Sequence, residues 1–275
     1  MLEGSFAPFP SPLFMRPFAL PSDFDPKHRG GRFPTTRGSA IGAVASDDPA
    51  ARARGFDVLV RAYFRPVYAH VRLTWRRDAE DARDVTQGFF ARAFEKSHFG
   101  SYDPSRARFR TYLRASLDNY VAALARDASR QKRGGGAPRL SLDFDVVEEE
   151  LSRSGALDEA RRASAADACF DREWTRHLFS AALSALETAC VEQGKQVYLD
   201  VFRRYVLEPE LAGTGARPSY AEVAAACGIA VTDVTNYLSW TRRALRERVL
   251  EQLRDITASD EEFREEARAV LGFEA

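Results

Sequence analysis

Residues 84–94 read DVTQGFFARAF, and the way apolar side chains are spaced here decides the fold class. At about 100° per residue, Ala82, Val85, Thr86, Phe89, Phe90, Ala93 and Phe94 fill one half-cylinder of a helix. The other half carries Glu80, Asp81, Asp84, Gln87, Gly88, Ala91 and Glu95. A solvated helix face commonly mixes Lys and Glu at i, i+4 spacing. This face is single-signed, with small residues at its centre, and fits a docking surface for something basic.

The same helical period continues on both sides. Asp47-Asp48-Pro49 reads as a helix start, and Phe56, Leu59, Val60, Tyr63, Phe64, Val67 and Val71 recur after it at helical spacing. A loop follows the opening stretch from about Ser97 to Ser105. A long helix then runs through FRTYLRASLDNYVAALARDASRQKR (109–133), with Phe109, Leu113, Ser116, Leu117, Tyr120 and Leu124 on one side. Gly134-Gly135-Gly136 and Pro138 end it. LSLDFDVVEEELSRSGALDEA (140–160) is an acidic connector with one weak helix at most. A second helical stripe, Trp174, Leu178, Phe179, Leu183, Leu186 and Cys190, begins near Asp171. No strand pattern appears, so the class is all-α: two helical domains joined by an acidic flexible linker. The expected boundaries are a disordered arm at 1–45, a first domain at 46–134, the linker at 135–170, a second domain at 171–255 and an acidic C-terminal helix at 256–275.

With 275 residues, 45% of them hydrophobic, the chain can bury a core in each domain. Its formal net charge is +0, yet the charge is segregated. From Arg52 to Arg133, 18 Lys+Arg stand against 9 Asp+Glu; from Leu140 to Trp174 it is 4 against 10, and from Glu251 to Ala275 it is 3 against 8. A basic block beside acidic ones suggests a polyanion-binding module with separate acidic elements. Cys169, Cys190 and Cys227 are odd in number and form no C-x-x-C pair, which supports neither a disulfide framework nor a zinc site. A reducing cytoplasm is the expected location. The apolar N-terminus FAPFPSPLFMRPFAL is broken by Pro8, Pro10, Pro12, Arg16 and Pro17, and no segment is long and apolar enough to cross a membrane.

SYAEVAAACGIAVTDVTNYLSWTRRALRERV (219–249) is the most specific motif. Ser219-x-x-Glu222 forms a capping box, Ala224 is small where two helices must cross, and Gly228 permits the turn between them. Val234, Leu238 and Tyr237 face inward from the second helix. That is helix-turn-helix spacing, which presents the second helix to a major groove. The alternative is a plain αα-hairpin. Thr232, Thr235, Asn236 and Ser239 on the outward side can reach base edges, and Arg242, Arg243 and Arg246 continue with phosphate-binding charge. On the long helix, Asn119, Arg126 and Arg130 share a stripe with Arg133, while Arg110 and Arg114 lie on the other side. SHFGSYDPSRARFR (97–110) interleaves Phe99, Tyr102 and Phe109 with Arg106, Arg108 and Arg110, a combination that holds unstacked bases. The alternative is that Phe109 and Tyr112 are simply core, the better reading for Phe109, while for Phe99 and Tyr102 the two readings stand level.

Taken in order, these pieces resemble the bacterial RNA polymerase sigma factors of the extracytoplasmic-function group, in particular the subgroup that reads FPTTRWS near its start. RFPTTRGSA (32–40) matches that signature with Gly38 in place of Trp. DAEDARDVTQGFFARAFEK (78–96) looks like the family's second conserved region, FRTYLRASLDNYVAALARD continues it, and Asp171 to Arg254 corresponds to the fourth. The resemblance implies that Glu80, Asp81, Asp84, Gln87 and Gly88 meet basic clamp helices of core RNA polymerase. It implies that Phe99, Tyr102, Arg106, Arg108, Arg110, Arg114, Asn119, Arg126 and Arg130 open the minus-ten element of promoter DNA and hold a flipped base. The helix-turn-helix would read the minus-thirty-five element, and the linker would thread the polymerase's RNA channel. An anti-sigma factor or other regulator is a further partner the family allows. The chain departs from the pattern with Asp118 inside a basic helix, Ala123 where many members carry Asp, and no Arg or Lys in the recognition helix before Arg242.

Two other classes remain beside this one. A helix-turn-helix regulator that does not serve polymerase leaves the acidic face without a role; a degenerate sigma that docks without melting DNA fits the departures. An enzyme is not expected, since H-E-x-x-H, G-x-x-x-x-G-K-[ST] and G-x-S-x-G are all missing from the sequence, and no catalytic residue, cofactor or metal is assigned. The tail SDEEFREEARAVLGF (259–273) carries a Ser259-x-x-Glu262 capping box and an apolar stripe, and is expected to screen the DNA face of the fourth-region domain.

Overall fold

A computed structural model describes residues 39–128, 142–154, 166–211 and 216–272. The described residues are helical, with no strand among them. They fall into two compact units. One holds the described residues up to Trp174 together with Leu253 onward, and the other runs from Thr175 to Gln252.

The first unit is built on α1 (Ala40–Val44), α2 (Pro49–Leu73), α3 (Ala79–Glu95) and α4 (Phe109–Ala128). Asp48 accepts from the backbone N–H groups of Ala50 and Ala51 at 3.0 and 3.2 Å, and Pro49 occupies the first turn, where its missing N–H costs nothing. Asp78 caps α3 through the Asp81 N–H at 2.8 Å. Of the stripe expected on α4, Phe109, Leu113 and Leu117 are fully buried, joined by Val121, whereas Ser116, Tyr120 and Leu124 are half-buried. The buried residues meet Leu59, Tyr63 and Val67 of α2 and Phe89 and Phe90 of α3 in one aromatic-rich core. The last residues of the stretch expected as an arm are helical. Ser39 caps α1, and α1 closes on α2 at Gly55, where a Cβ would lie 2.7 Å from the Ala40 carbonyl oxygen and from the Ala43 Cβ. The RFPTTRG part of the N-terminal motif and the rest of the arm lie outside the described residues.

The connector contains the one helix its sequence allowed. Within it, Phe144–Arg153 forms α5, capped by Asp143 and laid against α2. Phe144 packs on Phe64 and Tyr68, with ring centroids 6.3 and 5.2 Å apart. Glu148 accepts from Tyr68 Oη at 2.6 Å and from Arg72 Nε at 2.8 Å, and Glu150 pairs with Arg65 at 3.0 Å. The acidic run that reads as a solvated tether therefore neutralises α2 arginines, because Phe144, Val147 and Leu151 give it an apolar face to bury.

The second unit takes most of α6 (Ala166–Glu192), then α7 (Gln196–Phe202), a π-turn over Arg203–Leu207 running into α8 (Glu208–Leu211), α9 (Tyr220–Cys227) and most of α10 (Val231–Asp255). Its core is Leu178, Ala182, Leu186, Cys190, Val201, Phe202, Val234, Leu238, Leu245 and Val249. Trp174, expected in this stripe, belongs instead to the first unit, where it lies under the Arg110 guanidinium at 4.7 Å. The C-terminal helix α11 (Asp260–Leu271) also belongs to the first unit.

Candidate nucleic-acid interface

The α9–α10 pair follows its sequence signals closely. Ser219 and Glu222 cap each other, with the Glu222 N–H on Ser219 Oγ at 3.3 Å and the Ser219 N–H on Glu222 at 2.7 Å. Gly228 sits at φ +65°, the left-handed conformation that lets the chain reverse into α10, and there a side chain would be strained. Val223, Ala224, Val234 and Leu238 are buried at the crossing. Thr232, Thr235, Asn236 and Ser239 all stand exposed on α10, a row of short polar groups with a rigid backbone behind them. Arg243 is exposed, whereas Arg242 and Arg246 are half-buried, and burial pulls the Arg246 guanidinium down from its usual range. Tyr237 does not enter the core: it stacks on Tyr198 at 3.8 Å. Thr241 Oγ1 donates to the carbonyls of Tyr198 and Tyr237 at 3.1 and 2.9 Å, tying α10 to α7. Two exposed apolar residues beside this row, Val231 and Tyr220, escaped the sequence reading. Both sit at helix starts outside the inward stripe, which is the signal that would have found them.

The loop ahead of α4 turns out differently. Phe99 is buried, in contact with Phe56 and Phe109 at 5.7 and 5.6 Å. Tyr102 faces inward, its hydroxyl on the Ala107 carbonyl at 2.7 Å and on Glu262 at 3.1 Å. Arg110 is enclosed by Trp174, Asp171 and Glu266, and Arg108 is paired with Glu265. All four are thus engaged within the fold, the two rings by core contacts and hydrogen bonds and the two arginines by acids. Arg106 is exposed and pairs with Asp103 at 3.3 Å. On α4, Arg126 and Asn119 are exposed and Arg114 is half-buried; Arg130 lies outside the described residues. Asp118 has an internal role: it accepts from Trp75 Nε1 at 2.8 Å and bonds the buried His70 Nε2 at 2.9 Å. Burial raises the Asp118 carboxyl, but these bonds outweigh it and hold it below its usual range.

Between α3, the loop and α4 lies a cavity of about 430 Å³ whose walls include Phe89, His98, Tyr112 and Tyr120, with Arg92, Lys96 and Asn119 around them. His98 stacks on Tyr112 at 5.7 Å and 24°, and Tyr112 Oη donates to the His98 carbonyl at 2.9 Å. Burial, assisted by Arg92, lowers the His98 imidazole from its ordinary value, so at neutral pH it is a flat neutral wall. Aromatic faces with cations beside them can hold a planar base and its phosphate. Periodicity alone could not find this cavity, because it joins residues on three separate elements.

On α3, Glu80, Asp81 and Asp84 are exposed, Asp81 taking Arg77 at 3.1 Å, and Gln87 is half-buried. Gly88 has an internal explanation: a Cβ there would come within 2.5 Å of Tyr120 Oη. Ala91 is buried despite its place on the outward half. Phe94, placed inward, is exposed, though its ring lies 4.9 Å from Phe56.

Fold and site together define, among the described residues, an all-helical arrangement of two units, one of which carries the α9–α10 pair joined by the turn at Gly228. No protein-family model, curated protein or solved structure matches the chain. Among the described residues there is no cluster of His, Cys, Asp and Glu able to hold a metal ion, and no helix long and apolar enough to cross a membrane.

Proposed function

We propose that this protein is a sigma-type initiation factor, which binds core RNA polymerase and directs promoter recognition and DNA melting. The observation that carries the reading is the single-signed strip of exposed carboxylates, Glu80, Asp81 and Asp84, on a unit separate from the helix-turn-helix. A helix-turn-helix alone needs only DNA; the strip asks for a second, basic partner. In this reading α10 enters a major groove with Thr232, Thr235, Asn236 and Ser239 toward the bases and Arg243 toward phosphate. The aromatic cavity beside α4 takes one unpaired base from the opened strand. Such partners belong to the cytoplasm.

The test is run-off transcription with core polymerase on fragments from upstream of the protein's own coding region, paired with co-purification. Asp84→Arg with Gln87→Arg abolishes co-purification while leaving helicity intact. Unchanged co-purification overturns the reading. A second reading, a sigma-like or helix-turn-helix regulator that does not melt DNA, is favoured by the enclosure of Phe99 and Arg110. Permanganate reactivity of promoter thymines, expected in the first reading and missing in the second, separates them.

A further inference from the structure

The cations at the start of α4 are already occupied, and by residues far away in the sequence. Glu265 pairs with Arg108 at 3.0 Å and Glu266 with Arg110 at 3.0 Å, the latter pair almost wholly shielded from solvent. Glu262, also buried, accepts from the Phe109 N–H at 2.6 Å and from Tyr102 Oη at 3.1 Å. The first N–H groups of a helix are unsatisfied and attract anions. Residues 106–108 are Arg-Ala-Arg and offer no capping side chain of their own. A carboxylate from α11 therefore caps α4, and two more neutralise the arginines beside it, which is the set of contacts a nucleic-acid backbone would make with the same groups.

We infer that α11 is an internal nucleic-acid mimic: it covers the Arg108–Arg110 end of α4, and a nucleic-acid strand engages that end only by displacing it. This rests on the reading that the first unit binds nucleic acid. Not all of α11 is equally committed. Ala267 and Val270 are buried, while Glu265 is nearly half exposed and Asp260 and Glu261 are exposed. Burial pushes the Glu266 carboxyl up to about 7 against the pull of Arg110 and Arg108, and one of its oxygens has no hydrogen-bond partner. Its charged form is held poorly for a pair so enclosed, which favours exchange for another anion over a permanent lock.

The experiment uses the full chain and a fluorescein-labelled single-stranded DNA oligonucleotide of mixed sequence at about 0.1 M salt, where surface charges beyond roughly 10 Å are screened. Glu265→Gln with Glu266→Gln raises affinity at least tenfold, and Arg108→Ala in that background removes the gain. Asp260→Asn with Glu261→Gln changes the net charge equally on the outer face of α11 and gives less than twofold. Should the buried Glu266→Gln change perturb folding, Glu265→Gln alone gives about threefold. In the wild-type protein, saturating oligonucleotide speeds amide exchange across 260–271. Equal gains from the inner and outer pairs overturn the inference, as does unchanged exchange of 260–271 at saturation. If the oligonucleotide still binds in that case and Arg126→Ala weakens it, the nucleic-acid reading of the first unit stands and only the role of α11 falls. No binding by any variant overturns both.

Discussion

The outward face of α10 and the start of α4 both read as nucleic-acid surfaces in the sequence, and they differ in what surrounds them. On α10 the polar row Thr232, Thr235, Asn236 and Ser239 is exposed, while Val234, Leu238 and Thr241, which hold the helix, are buried, Thr241 against α7. At α4, Phe99, Tyr102, Arg108 and Arg110 are drawn into aromatic contacts, a distant cap and ion pairs. A surface of short uncharged side chains offers little to gain by covering it, and among the described residues it stays open. A surface of arginines and aromatic rings attracts partners from its own chain whenever acids and apolar groups are within reach.

The largest effect that sharpens this contrast is on stability. Phe109→Ala removes a fully buried ring that touches Tyr63, Phe99 and Tyr102, and is expected to cost about 3–5 kcal/mol by denaturant titration. An exposed residue of the other face, Asn236→Ala, leaves the same midpoint within about 0.5 kcal/mol. A comparable loss at both sites would erase the distinction.

Next comes the pH dependence of α11. Burial raises the folded pKa of Glu266 to about 7 from an ordinary 4.5. The folded state thus binds the extra proton between those values, and stability falls as pH rises through that window, by at most about 3 kcal/mol. The groups facing it are Arg108, Arg110, Asp171, Glu262 and Tyr63. Glu266→Gln removes the decline, so thermal melts of the two proteins agree near pH 4 and diverge toward pH 8, with the variant the more stable. Parallel melts across the range would contradict the enclosure of this carboxylate.

Gly88→Ala is expected to cost about 1–3 kcal/mol, because its Cβ meets Tyr120 Oη. Tyr120→Phe in the same protein recovers most of it, since the clashing atom is gone. Recovery assigns Gly88 to packing; loss of polymerase binding without loss of stability would return it to the docking face. The smallest effects lie on α10. Asn236→Ala lowers preference at one base position by about 1–3 kcal/mol with the salt slope unchanged. Arg243→Ala weakens all sequences alike and reduces the log–log salt slope by roughly 0.9. Anisotropy titrations on matched and scrambled duplexes distinguish them, and a change in salt slope alone for both would mean that α10 does not read bases.

How much was legible in the sequence follows the separation of the groups involved. The capping box at Ser219, the left-handed turn at Gly228 and the inward stripes of α2, α3 and α4 are made by residues within a few positions of one another, so period and residue type suffice. The helical class and the exposed α10 row were readable for that reason. Missed were α5 docked on α2, the cavity between α3 and α4, the cause of Gly88 and the destination of α11.

A helical wheel says that a side chain faces inward, but not what it will meet there. For the same reason, the sequence by itself determined the helices, their buried stripes and the turn that sets α9 against α10. Only the tertiary structure decided which charges remain available. Glu262 reaches the Phe109 N–H across 153 positions, and Glu148 reaches Tyr68 across 80. A charge count cannot foresee such pairings, because an arginine paired within the fold and an arginine left at the surface are the same letter until the chain has folded.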